Sequence, residues 1–247
     1  KKFYISDLLL IFCCDMLSFL KIMGKLKKFM AKLENKKLLE FLTTFIVESD
    51  AIESIKDDPN LVKKQLETNS KDGHAGALLF LESLAHEKEK ALTEETVRKI
   101  QGLITTEQHT KPGGIPLKPE WIGKYRNVNV YIGGRPGTPF WKVPERMDRW
   151  ASGLRIWQRS ISAENDMAKL RQIARFHFEY EHIHPFADGN GRSGRAIVYY
   201  LMRCCDLAPF IFTADDRFET YYRCFSDPEV MCQYFEKSWM DETRVLN

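Results

Sequence analysis

No cysteine pair here has the spacing of a zinc ribbon, no apolar run is long enough to cross a bilayer, and neither sign of charge dominates. Each absence removes a class of function. The six cysteines stand at 13, 14, 204, 205, 224 and 232 without any Cys-x-x-Cys, which argues against a metal ribbon or a disulfide framework. Buried thiols in a reducing compartment are the expectation, so the chain reads as cytoplasmic, in its own cell or after delivery into another. Thirty-seven Lys plus Arg face 34 Asp plus Glu, a net charge of +3, far from the basic surface of a dedicated nucleic-acid binder. The apolar stretch from Leu8 to Cys14 breaks at Asp15, resumes to Leu20 and meets Lys21, with no small-residue cleavage site. That predicts a terminal amphipathic helix without stable membrane insertion, or residues upstream of a start at Met23. Also missing are a P-loop, the kinase H-R-D and D-F-G signatures, and a G-x-G-x-x-G following a strand.

What is present reads as helical. Hydrophobic residues make up 44 % of 247, enough for a sizeable core. Leu26, Phe29, Met30 and Leu33, then Leu38, Leu42, Phe45 and Ile46, predict a helix over 25–54 that ends at Asp57-Asp58-Pro59. Further helices are expected over 61–67 and 75–86, then one from Thr93, whose hydroxyl is placed to cap it and whose buried stripe is Val97, Ile100, Leu103 and Ile104. From Lys111 to Pro144 proline and glycine break every helical pattern. Inside that window Val128 to Ile132 alternates like a strand and stops at Gly133-Gly134, a hairpin flap. Helices resume over 144–157 and 162–182, where Pro185 forbids continuation, then over 196–205 and within 217–239. The expected fold is all-α with a small β-hairpin. Its parts are a helical extension (1–39), a helix over 40–60 and the main domain (61–247).

Residues 184 to 195 read His-Pro-Phe-Ala-Asp-Gly-Asn-Gly-Arg-Ser-Gly-Arg. Gly189, Asn190 and Gly191 can turn successive N–H groups into a concavity for an anion, and the following helix N-terminus adds its dipole. Arg192 and Arg195, three apart, are expected to share a face and reach one polyphosphate. Asp188 offers a hard oxygen suited to Mg²⁺. His184 is the group able to take a proton near neutral pH. Contiguous and in this order, the parts describe phosphoryl or nucleotidyl transfer. A metal cluster of His177, His182 and His184 is rejected, because spacings of five and two do not share a helical face.

This segment resembles the Fic-family signature H-P-F-x-[D/E]-G-N-G-R-x-x-R at every specified position. Gly123-Lys124-Tyr125-Arg126 with the 128–134 flap, and the pair Tyr221-Tyr222, are similar to flanking features of that family. The resemblance implies a Fic-type helical bundle that transfers AMP from ATP to a Tyr, Thr or Ser hydroxyl of a target protein. His184 would deprotonate that hydroxyl, and Asp188 would hold Mg²⁺ against the phosphates. Gly189, Asn190, Gly191 and Arg192 would bind phosphate, with Arg195 on the γ-phosphate. Val130, Tyr131 and Ile132 would dock an extended target segment by strand addition, and Tyr222 would lie on the adenine side.

Ser49-Asp50-Ala51-Ile52-Glu53 also resembles the family's inhibitory motif [S/T]-x-x-x-E-[G/N], with Ser54 departing from Gly or Asn. It implies that Glu53 pairs with Arg195 and blocks productive placement of the γ-phosphate. Two other readings use the same residues: removal of AMP with Glu53 orienting a water, and a nucleotide-sensing module without turnover. The oligomeric state is open, a homo-oligomer included.

Overall fold

The computed structural model describes residues 35–86, 92–215 and 217–246. The N-terminal apolar stretch, Met23, and the first part of the expected 25–54 helix lie outside the described residues. The chain divides into two compact units, Lys1–Phe41 and Leu42–Asn247. In the first, the described residues are helical. All that follows concerns the second.

In this unit helix α1 covers 42–52. Phe45, Ile46, Ser49 and Ile52 recur at three- and four-residue intervals and are buried, as a one-sided helix requires. It stops earlier than expected because Ser54 takes a left-handed φ of 62°. The acid–proline pair thought to end it instead starts α2 (Pro59–Glu67): the Asn60 N–H donates to Asp58 Oδ1 at 2.9 Å, and Pro59 enters the first turn. Helix α3 (Gly73–His86) carries Ala77, Leu78 and Leu81 into the core.

Thr93 caps α4 (Glu94–Thr106) by accepting from the Thr96 N–H at 3.2 Å, and Val97, Ile100 and Ile104 are buried. Leu103 is only half-buried; Gln101 and Thr105 are buried instead. That polar face of α4 meets the motif loop.

The flap is shorter than the alternating segment suggested. Strands β1 (Tyr131–Ile132) and β2 (Arg135–Pro136) pair antiparallel, with Tyr131 opposite Pro136 and Ile132 opposite Arg135. Gly133 and Gly134, at φ of 54° and 79°, make the two-residue turn that such a hairpin needs. Then come α5 (Val143–Ser160), α6 (Asp166–Ile183, capped by Asn165), α7 (Asn190–Cys204) and α8 (Pro228–Leu246). Helix α6 packs on α5, α7 and α8, while α7 also meets α3 and α4. Helix α7 begins six residues before its expected start, so most of the glycine segment is its first turn rather than a loop. Cys205, Cys224 and Cys232 are buried free thiols; Cys204 is half-buried. Among the described residues no helix is long and apolar enough to cross a membrane.

Candidate active site

A cavity of about 910 Å³ opens between the hairpin, the end of α6, the start of α7 and the Tyr221-Tyr222 segment. His184 stands on its wall. It ends α6 in the left-handed region, φ 51°, and Pro185 after it prevents another helical turn. Its Nδ1–H donates to the Glu181 carbonyl at 3.2 Å, which leaves the Nε2 lone pair free. Burial pushes the imidazole down to about 4, and the nearby Arg126 guanidinium also disfavours its charge. At neutral pH it is an uncharged base.

Arg126 sets that geometry from behind. Buried itself, it donates from Nε to the His184 carbonyl at 2.7 Å and from Nη1 to the Val128 carbonyl at 2.8 Å. Its Nη2 reaches the Thr138 and Ile183 carbonyls, and its backbone N–H reaches Pro185. One guanidinium therefore ties both feet of the hairpin to the end of α6. In sequence Arg126 was only part of the Gly123–Arg126 stretch; its carbonyl partners lie as far along the chain as His184 and Pro185.

The start of α7 is built on two glycines. Gly189 is the N-cap residue at φ 79°, and a Cβ there would stand 2.6 Å from Thr105 Cγ2. A Cβ on Gly191 would collide with the Glu53 carboxylate and approach Arg195 Nη1 to 2.9 Å. Asn190 turns inward: its amide accepts from the Phe186 N–H at 2.8 Å and donates to the Phe186 carbonyl at 3.0 Å, closing the loop on itself.

Asp188, at 44 % exposure, accepts from Gln108 Nε2 at 2.8 Å and from the Gly189 N–H at 2.6 Å. Gln101 donates to the Asp188 carbonyl at 3.0 Å. Both glutamines escaped the sequence reading, since an isolated Gln on a helix or turn carries no signal. Gln101 alone had a hint, a polar residue within the apolar stripe of α4.

The two arginines do not act together. Arg192 turns away from the cavity, donating from Nη2 to Gln108 Oε1 at 2.8 Å and to Asp188 Oδ1 at 3.4 Å. It was expected to share a face with Arg195; here its guanidinium instead braces the back of the loop. Arg195 lines the cavity. Its Nε donates to Ser49 Oγ at 2.9 Å, and its Nη2 donates to the Ser49 carbonyl at 2.7 Å and to Glu53 Oε1 at 2.9 Å. The Tyr221 ring lies 5.8 Å from its guanidinium carbon. The Glu53 carboxylate thus rests at the positive end of α7, beside a buried cation and in the same cavity as His184. Tyr222 lines that cavity too and donates its hydroxyl to the Ile52 carbonyl at 3.3 Å. His177 lies in the core against the Tyr221 hydroxyl, and His182 stacks on Phe178.

Glu181 is a further carboxyl in this wall. Burial pushes it up to about 8 against the pull of Arg195, and Glu53 adds to the rise. Tyr131 and Ile132 line the cavity together with Gly133, Arg135 and Pro136, and the Val130 carbonyl accepts the Gly137 N–H at the base of the hairpin.

Residues 91–202, from before α4 almost to the end of α7, match the Fic/DOC family model. That segment of the chain is a Fic/DOC-type domain. A curated Fic-family relative, protein adenylyltransferase Fic of Nematostella vectensis, is 25 % identical over 159 residues, 64 % of this chain and 34 % of the relative. The protein of the same name from Culex quinquefasciatus is 32 % identical over 101 residues, 40 % of this chain and 19 % of its own length. The chain thus spans about a third or less of these relatives. Among solved structures, a Fic domain containing signaling protein from Bacteroides thetaiotaomicron superposes with a TM-score of 0.66 at 17 % identity, over 84 % of this chain and 87 % of the other. Fic-1 from C. elegans superposes with a TM-score of 0.62 at 19 % identity, over 84 % and 65 %. These structures share the Fic fold.

Proposed function

We propose that this chain is a protein adenylyltransferase held in check by its own Glu53. The observation that carries the reading is the Glu53–Arg195 pair, 2.9 Å long, inside the cavity that His184 faces.

The chemistry follows from these side chains. The triphosphate of ATP binds over the first turn of α7, where unpaired N–H groups and the helix dipole favour negative charge. Arg195 takes the γ-phosphate once Glu53 leaves it. The Asp188 carboxylate, half-exposed at the loop, fits Mg²⁺, which keeps several waters and binds through one carboxylate plus phosphates. When bound, that ion would neutralise phosphate charge. His184 Nε2 takes the proton of a target hydroxyl lying on β1, and the hydroxyl oxygen attacks the α-phosphorus. The bond to the β-phosphate oxygen breaks, pyrophosphate leaves, and AMP stays on the target. With Glu53 on Arg195 the γ-phosphate meets a carboxylate where it needs a cation, so the α-phosphorus is not presented in line.

The test uses ATP labelled at the α- or the γ-phosphate, with the Glu53→Gly and Glu53→Gly/His184→Ala proteins. Protein labelling from the α-position, lost in the double variant, is expected. Labelling from the γ-position alone would replace adenylylation with phosphorylation.

A further inference from the structure

Behind the inhibitory helix lies a second cluster of charge that the catalytic scheme leaves unused. Asp50, 1 % exposed, accepts from His74 Nδ1 at 3.0 Å on one oxygen and from Lys111 Nζ at 2.7 Å on the other. Lys111 also meets Asp57 Oδ1 at 2.8 Å. The cluster therefore joins α1, α3, the turn after α1 and the loop after α4.

Its position relative to Glu53 gives it a consequence. The Asp50 carbonyl accepts the N–H groups of Glu53 and of Ile55, each at 3.0 Å, so Asp50 organises the turn that carries Glu53. That turn is pressed against the Lys111 loop. The Lys56 N–H donates to the Pro112 carbonyl at 2.8 Å, and a Cβ on Gly113 would collide with the Ser54 carbonyl. Two carboxylates, Asp50 and Glu53, sit at the negative end of α1, where the helix dipole disfavours both. Each is offset by a cation from another part of the chain, Lys111 for Asp50 and Arg195 for Glu53. His74 is fully buried, and burial holds its pKa down, so Lys111 carries the cluster's permanent positive charge.

We infer that Lys111 and Asp50 are positioning residues for the inhibitory carboxylate: their buried ion pair fixes the end of α1 so that Glu53 stays on Arg195. This rests on the reading of Glu53 as an inhibitor. It adds that inhibition is set as much by a contact outside the cavity as by the contact inside it. Breaking the outer pair frees the turn and lets Glu53 leave without any change in the cavity.

The test compares protein labelling from α-labelled ATP by five forms of the 247-residue chain: wild type, Lys111→Met, Lys111→Arg, Glu53→Gly, and Lys111→Met with Glu53→Gly. Labelling by Lys111→Met is expected to exceed wild type about fivefold or more, the scale of a typical coupling between sites. Lys111→Arg, which keeps the charge, should stay near wild type. The Lys111→Met change should add nothing to Glu53→Gly. If Glu53→Gly labels strongly while Lys111→Met matches wild type, or if Lys111→Met raises Glu53→Gly as much as it raises wild type, the inference is overturned. If Glu53→Gly itself gains nothing, the inhibitory reading fails instead. Hydrogen exchange supplies a readout independent of activity. The amides of Glu53 and Ile55 should exchange at least fivefold faster in Lys111→Met than in wild type, and unchanged protection there overturns the inference on its own.

Discussion

Arg192 and Arg195 leave the same helix three residues apart, both almost wholly buried, and meet different surroundings. Arg192 faces Gln108 and Asp188 and holds the loop from behind. Arg195 faces Ser49 and Glu53 inside the cavity. Whether a guanidinium near a glycine-rich helix start opens on the cavity or on the back of the loop is set here by partners more than 80 residues away.

The contrast can be broken by substitution. Arg195→Ala in the Glu53→Gly background should lower AMP transfer on the order of 100-fold, the usual effect of removing one donor to developing charge. Comparable transfer with and without Arg195 would erase the distinction. Arg192→Met should show the opposite balance. It strips the buried Gln108 oxygen of its donor, so unfolding free energy should fall by about 1–3 kcal/mol in a denaturant titration. Transfer should fall less than about tenfold at temperatures where the protein stays folded. A loss as large as that of Arg195→Ala, without a stability change, would put both arginines on the phosphate.

A smaller effect sharpens the role of the neighbouring histidine. His184 must be neutral to accept a proton, and its neutral fraction grows as pH rises through its pKa. With that pKa held down to about 4 by burial, kcat/KM of Glu53→Gly should retain nearly all of its plateau at pH 5.5. An ordinary histidine would leave about a tenth there. A midpoint near 6.5 in the rate profile would show that the imidazole is better solvated than its surroundings imply.

Much of the scaffold was legible because it depends on local rules. The Thr93 cap, the three- and four-residue spacing of Leu42, Phe45 and Ile46, and the Gly133-Gly134 turn each follow from chemistry within one turn of chain. The start of α7 was misread because Gly189, Asn190 and Gly191 have poor helix propensity, which packing against α3, α4 and α6 overrides. Ser49 and Glu53 were found through family resemblance, and the structure sets both beside Arg195. Gln108 and the Asp50–Lys111 pair left no pattern to read, and Gln101 and Arg126 gave no sign of their partners. Each acts through a partner reached only after the chain has folded, and no spacing rule encodes that.

The most direct measurement is the single-turnover rate of AMP transfer from α-labelled ATP by Glu53→Gly relative to the unaltered chain. If the Glu53 carboxylate blocks the γ-phosphate from Arg195, the glycine protein should be at least about tenfold faster, a change of about 1.4 kcal/mol in the barrier, with Glu53→Gln in between. Equal rates for all three would contradict the account.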